Sequence, residues 1–341
     1  MKLNLFSFYS FLFFLVVPCA TISAGGKVDT SKTNSLVVYA YDSFVSEWGP
    51  GPELIRLFTE ETGINVSLVS CGDAAQVLSR AILEKNNPRS DVLIGIDNNL
   101  IEAARKALVL DAYKPKAADT IVPTNLRLSE DWLLTPYDWS YFAIIFDKAS
   151  GLTPPKSLED LTKPEYAKRL ILMDPRTSTP GLGFLAWTIA IYGNDYLSYW
   201  SRLKPSILTL SPGWDTGYGL FTSGEAPLVI SYTTSPAYHV EYEETDRYQA
   251  LIFQEGHTMQ VEGLGLVKGA KNKENAQLFI DFMLSEKAQS VIPLTQWMYP
   301  VSKTVVMPVS YEAAPKAEKT LVVDSEKVSN AIDSIFSVLG K

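Results

Sequence analysis

"LVVYAYDSFVSEWGPGPELIRLFTEETGINVSLVS", residues 36–70, decides the fold class. "LVVYAY" is apolar on both faces, as strands are when a parallel sheet is covered on each side. "PELIRLFTEETG" then takes helical spacing: Leu54, Ile55 and Phe58 share a face, Pro52 suits a first turn and Gly63 a stop. "INVSLVS" is a second strand. Downstream, "DAAQVLSRAILEKN" predicts a helix with Asp73 as N-cap and Val77, Ala81 and Ile82 inward. "DVLIGI" and "NLIEAARKAL" add a third strand and a third helix. This β-α-β-α-β order implies a parallel sheet with helices packed on it.

The alternation breaks at "LLTPYDWSYFAIIFDK", Leu133 to Lys148, a long extended stretch able to cross into a second lobe. Strand and helix patterns then resume in "RLILMDP", "STPGLGFLAWTIAIYG", "SILTL", a helix from Trp214, and "PLVISY". "HTMQVEGLGLVKG" is a second long extended stretch and brings the chain back. Two more helices follow. One has Ala276, Phe279, Ile280 and Met283 as its stripe, the other Val328, Ile332, Ile335 and Leu339. The expected architecture is an α/β fold of two lobes, each a mainly parallel sheet flanked by helices, joined by two crossover strands. Residues 36–134 and 263–341 form lobe I, and 135–262 form lobe II. Ligands of such sheets bind at the carboxyl ends of the strands, here between the lobes.

The chain ends carry other signals. Lys2, the apolar run "LFSFYSFLFFLVV" and small residues up to Ala24 read as a secretory signal peptide over 1–24. Its loss takes the formal charge from -8 to -9. Cys19 admits a second reading as a lipidated anchor, although Pro18 before it is atypical. Cys71 is then the only cysteine in the folded part, so no internal disulfide forms. The acidic balance excludes a nucleic-acid binder, which needs a basic face, and agrees with a cationic ligand.

Catalytic signatures are scarce. His239 and His257 lack metal-ligand spacing, and no G-x-S-x-G, P-loop or H-E-x-x-H occurs. Cys71 reads as a small filler at a strand end, with a nucleophile as the alternative. The loops at strand ends are richer: Tyr41 and Trp48, Asp73 and Ala74, "TSTPGLG" at 177–183, "PGWDTGYG" at 212–219, "SYTTSPAY" at 231–238 and "TQWMYP" at 295–300. Singly, each is an ordinary cap, core ring or turn. Converging, they offer stacking rings, hydroxyls and helix N-termini. That set suits a flat heteroaromatic cation with an anionic or hydroxyl tail.

These motifs resemble the thiamine-binding periplasmic proteins of ABC importers. The resemblance runs in order over residues 36 to 301 and is carried by "YAYDSFVSEWGPGPE", "DVLIGIDNNL", "MDPRTSTPGLGFLAW", "VISYTTSPAYH" and "QWMYPV". It implies a monomeric periplasmic solute binder with no cofactor, taking thiamine and its phosphate esters and delivering them to ABC permease subunits. It also implies a site. Asp73, Ala74, Ser178, Thr179 and Trp214 would hold the hydroxyethyl or phosphate end. Tyr232, Thr233, Thr234 and Ser235 would hold the aminopyrimidine. Tyr41, Tyr238 and Trp297 would surround the bicyclic body. Tyr41 is expected to end the first strand, with Pro50 and Pro52 fixing the turn after it. Ala74 replaces a Gly common in the family, and Trp139 a Tyr. Two alternatives remain: a type I thiaminase-like enzyme using Cys71, and a binder of another small cationic solute. Iron is disfavoured because Thr233, not a second Tyr, follows Tyr232. Polyamines are disfavoured because the loops offer mainly Asp73 and Asp215.

Overall fold

The structure, a computed structural model, describes residues 34–340. The expected signal peptide over 1–24 and Cys19 lie outside the described residues. The chain opens with β1 (Ser35–Ala40), a short helix α1 (Asp42–Val45) and α2 (Pro50–Thr62). The expected turn fixed by prolines is corrected here. α1 makes the turn, with Tyr41 as its N-cap, and both prolines lie in the first turn of α2, where a missing N–H costs nothing. Gly63 closes α2 at φ +70, as its position predicts. β2 (Asn65–Ser70), α3 (Ala74–Leu83), β3 (Val92–Asp97) and α4 (Ile101–Ala107) complete the first alternation. Ala74, Val77, Leu78 and Ala81 are the inward residues of α3, and Ile82, expected inward, is 42% exposed. It lies about 100° of helix rotation past Ala81 and leaves the stripe.

β4 (Leu110–Asp111) and α5 (Ala118–Ile121) lead to the long β5 (Thr135–Asp147). A second alternation follows: β6 (Leu170–Met173), α6 (Thr179–Tyr192), α7 (Tyr196–Leu203), β7 (Ile207–Ser211), α8 (Trp214–Thr222), β8 (Leu228–Tyr232) and α9 (Ser235–Tyr242). β9 (Tyr248–Leu251) precedes the second long strand, β10 (His257–Val267). The chain then runs through α10 (Lys273–Met283), α11 (Glu286–Thr295), β11 (Tyr299–Pro300), β12 (Thr320–Leu321) and α12 (Ser325–Leu339).

Strand order is β2-β1-β3-β10-β5-β8-β6-β7. β1 runs parallel to β2 and β3, and β6 parallel to β7 and β8. The two parallel blocks are joined through antiparallel β10 and β5. β5 serves both blocks: Thr135 to Tyr141 pair with β10, and Phe142 to Phe146 pair with β8. The fold is thus α/β with two lobes and two long strands between them.

Two local features aim residues at the junction. First, the β3–β10 register slips between Gly263 and Leu264, leaving Gly95 as an extra residue at φ +97. A Cβ at Gly95 would stand 2.3 Å from Cδ1 of Tyr41, so only glycine leaves room for that ring. Second, Glu262 on β10 stands opposite Asp97 of β3 on one side and Asp138 of β5 on the other. Register alone therefore puts three acids in one row across the centre of the sheet.

Candidate functional site

A cavity of about 620 Å³ opens where the two blocks meet. Its first wall comes from loops that follow β1 and precede α3: Tyr41, Trp48 and Asp73. The second comes from the starts of α6, α8 and α9 and the end of β8: Thr179, Trp214, Tyr232 and Ser235. Tyr238 and Trp297 close one end, and Glu262 forms part of the floor.

The rings are held by one another. Trp214 stacks on Tyr218 at 4.9 Å and donates its indole N–H to Ser231 Oγ at 2.8 Å. Tyr218 in turn bonds His239 Nε2 at 2.9 Å, and His239 Nδ1 meets Glu243 at 2.7 Å. Burial pulls the His239 pKa down, so the ring is neutral at pH 7 and serves to orient Tyr218. Trp297 sits at φ +58 and meets Tyr238 edge-on at 5.3 Å and Tyr242 at 5.5 Å. At the mouth, the Trp48 and Trp214 rings lie 6.4 Å apart, and the Trp214 backbone N–H reaches Asp73 Oδ2 at 3.4 Å.

The floor is a hydrogen-bond network around Glu262. Tyr41 and Tyr137 each donate to Oε2 at 2.8 Å, Gln296 donates to it at 3.1 Å, and Gln260 donates to Oε1 at 2.6 Å. Gln296 also donates to the Tyr41 hydroxyl. Burial raises the Glu262 pKa, against the pull of the tyrosine hydroxyls. Burial raises Asp138 as well, reinforced by the Glu262 charge. Asp97 is pushed up to about 7, mainly by burial, although Asn99 and Leu100 N–H groups favour its anion. On the wall, burial and the Asp73 and Asp42 charges push Asp215 up to about 6.

Asp42, Asp73, Asp215, Glu243 and Glu262 all line the cavity, and among the described residues no Lys or Arg does. This corrects the expectation that mainly Asp73 and Asp215 supply acid.

Of the residues singled out from sequence, Tyr41, Asp73, Thr179, Trp214, Tyr232, Ser235, Tyr238 and Trp297 line the cavity. Ala74, Ser178, Thr233 and Thr234 are not on its wall. Ala74 is buried as the first residue of α3, and its N–H goes to Asp73 Oδ1 at 2.7 Å rather than standing free. Thr233 and Thr234 turn their hydroxyls to Ser140 Oγ at 3.3 and 3.1 Å. Ser178 precedes α6 without capping it: its buried Oγ makes no hydrogen bond of good geometry, yet lies near enough to Asp73 to favour the carboxylate. Thr179 Oγ1 is equally buried and unpartnered.

Sequence reasoning missed Glu262, Gln296, Tyr218 and Asp42. Glu262 did leave a signal, as the one acid within the apolar run "VEGLGLV". Cys71 is half-buried off the cavity wall, with Arg80 at 3.4 Å from its sulfur. Burial raises its thiol pKa.

The sequence family described as bacterial extracellular solute-binding protein matches residues 53–319. The chain belongs to this family. A thiamine-binding periplasmic protein of Brucella suis biovar 1 (strain 1330) is 40% identical over 96% of this chain and 95% of its own. Another, from Escherichia coli (strain K12), is 42% identical over 84% of this chain and 86% of its own. Among solved structures, a periplasmic thiamin binding protein superposes with a TM-score of 0.83 at 39% identity, covering 89% of this chain and 95% of the other. The sugar-phosphate-bound AfuA protein from Actinobacillus pleuropneumoniae, at 19% identity and a TM-score of 0.77, shares the fold alone. For an extracellular solute-binding protein with this cavity, the chemistry of the walls restricts the solute. Rings on both walls and at one end favour a flat ligand, and five acids with no Lys or Arg among the described lining residues favour a cation.

Proposed function

We propose that the chain captures thiamine in this cleft, outside the cytoplasmic membrane, and delivers it to the permease of an ABC importer. The carrying observation is the aromatic cavity whose charged lining residues are all carboxylates. Thiamine is a flat, permanently cationic heterocycle of matching character, and relatives matching 96% and 84% of this chain bear the thiamine-binding name. In this reading Tyr41, Tyr238 and Trp297 surround the two rings. Tyr232 and Ser235 hold the aminopyrimidine, and Thr233 and Thr234, buried with their hydroxyls engaged by Ser140, hold the turn between them. Asp73, Thr179 and Trp214 take the hydroxyethyl or phosphate end, and Ala74 supports that turn by its N–H bond to Asp73. The protein acts as a monomer, exported by its first 24 residues, with lobes 36–134 plus 263–341 and 135–262 closing on the ligand. No cofactor takes part. Calorimetry with thiamine, its monophosphate and its diphosphate is the test. One thiamine per chain is expected, and no heat and no fluorescence change at micromolar thiamine would overturn the reading.

The protein binds thiamine without reacting with it. Cys71 stands off the cavity wall with a raised thiol pKa, the reverse of an activated nucleophile. Cys71→Ser is expected to leave thiamine affinity within about threefold, less than 1 kcal/mol. Thiamine cleavage on incubation with an added nucleophile, abolished by the same substitution, would make the protein an enzyme.

Ser178 is the proposed contact to the phosphate end: its buried hydroxyl at the start of α6 makes no hydrogen bond of good geometry and lies beside Asp73, which takes the same end. Ser178→Ala should leave the melting temperature unchanged, because no cap bond is lost. It should lower affinity for the monophosphate by about tenfold relative to thiamine. An unchanged ratio between the two ligands would remove Ser178 from the site.

A further inference from the structure

Glu262 has no individual role in the reading above, and its surroundings are unusual. It is 4% exposed, yet it lines the cavity. Four side-chain donors converge on its carboxylate, from Tyr41, Tyr137, Gln260 and Gln296. Asp138, directly opposite it on β5, is fully buried and neither of its oxygens has a hydrogen-bond partner of good geometry. Two adjacent carboxyls cannot both ionise in such a place. The donors decide which of them does. Four N–H and O–H groups stabilise an anion on Glu262 and none stabilises one on Asp138, so the shared proton resides on Asp138. Glu262 then carries a buried negative charge at the floor of the cleft, with Asp97 as its other carboxyl neighbour across β3. Among the described residues no Lys or Arg lines the cavity to neutralise it. A buried charge without a counter-ion is costly, and that cost is relieved by a cation arriving from solution.

We propose that Glu262 is the specificity-determining counter-charge of the cleft, selecting a positively charged heterocycle over a neutral one of the same shape. The tyrosine and glutamine donors hold the carboxylate in place while leaving it one net negative charge. The rings then read shape, and Glu262 reads charge. This rests on the thiamine reading above and deepens it.

The test compares thiamine with its neutral isostere in which carbon replaces the thiazolium nitrogen. Both are titrated into the full-length mature protein and into Glu262→Gln, with melting temperatures alongside. Wild-type protein is expected to bind thiamine at least about tenfold more tightly than the isostere. Glu262→Gln should bring the two affinities within about threefold, mainly by weakening thiamine. If the variant keeps the wild-type ratio, Glu262 does not set the charge preference and the proposal falls. Should the variant fail to fold, the wild-type ratio still decides: equal affinities for the two ligands overturn the proposal. Binding of neither ligand to wild-type protein would instead overturn the thiamine reading itself.

Discussion

Gly95→Ala is expected to lower the melting temperature by roughly 5–10 °C and to weaken thiamine binding by more than about tenfold. Two causes add. Gly95 holds φ +97, where an L-residue is strained by roughly 1–3 kcal/mol. Its new Cβ would also lie 2.3 Å from Cδ1 and 2.5 Å from Cε1 of Tyr41, so the ring has to move. Overpacking of this kind typically costs about 1–3 kcal/mol. The ring cannot move without withdrawing its hydroxyl from Glu262, 2.8 Å away, and from Tyr137, 3.0 Å away. The effect on binding follows from that displacement. Gly151→Ala is the control, because Gly151 has φ +71 and its new Cβ would meet nothing within 4 Å, so that variant reports backbone strain alone. Thermal melts and calorimetry on both variants separate the causes. Unchanged thiamine affinity in Gly95→Ala would show that the Tyr41 position does not matter to binding.

Trp297→Ala is expected to cost about thirtyfold in thiamine affinity, roughly 2 kcal/mol. It should also cost about 3 kcal/mol or more of stability. Trp297 is only 9% exposed and packs with Ala237, Tyr299, Tyr311 and Ala314, stacking on Tyr311 at 6.4 Å. Its left-handed backbone swings the ring into the cavity against Tyr238, and that conformation is held by the packing around it. Trp297→Phe keeps an aromatic face in place and should recover most of the affinity. If the alanine variant melts lower but binds thiamine within threefold of wild type, about 0.7 kcal/mol, the ring is core rather than site.

Much of the fold was legible because its signals are local. Gly63 as a stop and Asp73 as a cap each depend on neighbours within a turn, and both hold, Asp73 within a full capping box with Gln76. The two long strands were visible as unbroken extended stretches, and they appear as Thr135–Asp147 and His257–Val267. Where reading slipped, the cause was also local and slight. Pro50 and Pro52 suit a turn or a first helical turn equally, and Ile82 is apolar but one residue off the stripe.

By itself, the sequence determined the strand and helix alternation, the two crossings between blocks, and the loops that carry rings and hydroxyls at strand ends. Periodicity and turn chemistry are properties of neighbouring residues, so one chain suffices to read them. Only the tertiary structure decided which of those residues meet. Glu262 bonds a tyrosine 221 positions away, and Gln296 bonds that same tyrosine across 255. Those contacts exist because β10 enters the sheet between β3 and β5, a strand order no local pattern encodes. The same insertion sets the register that places Asp97, Glu262 and Asp138 in one row. It thereby turns one acid in an apolar strand into the buried charge at the floor of the cleft.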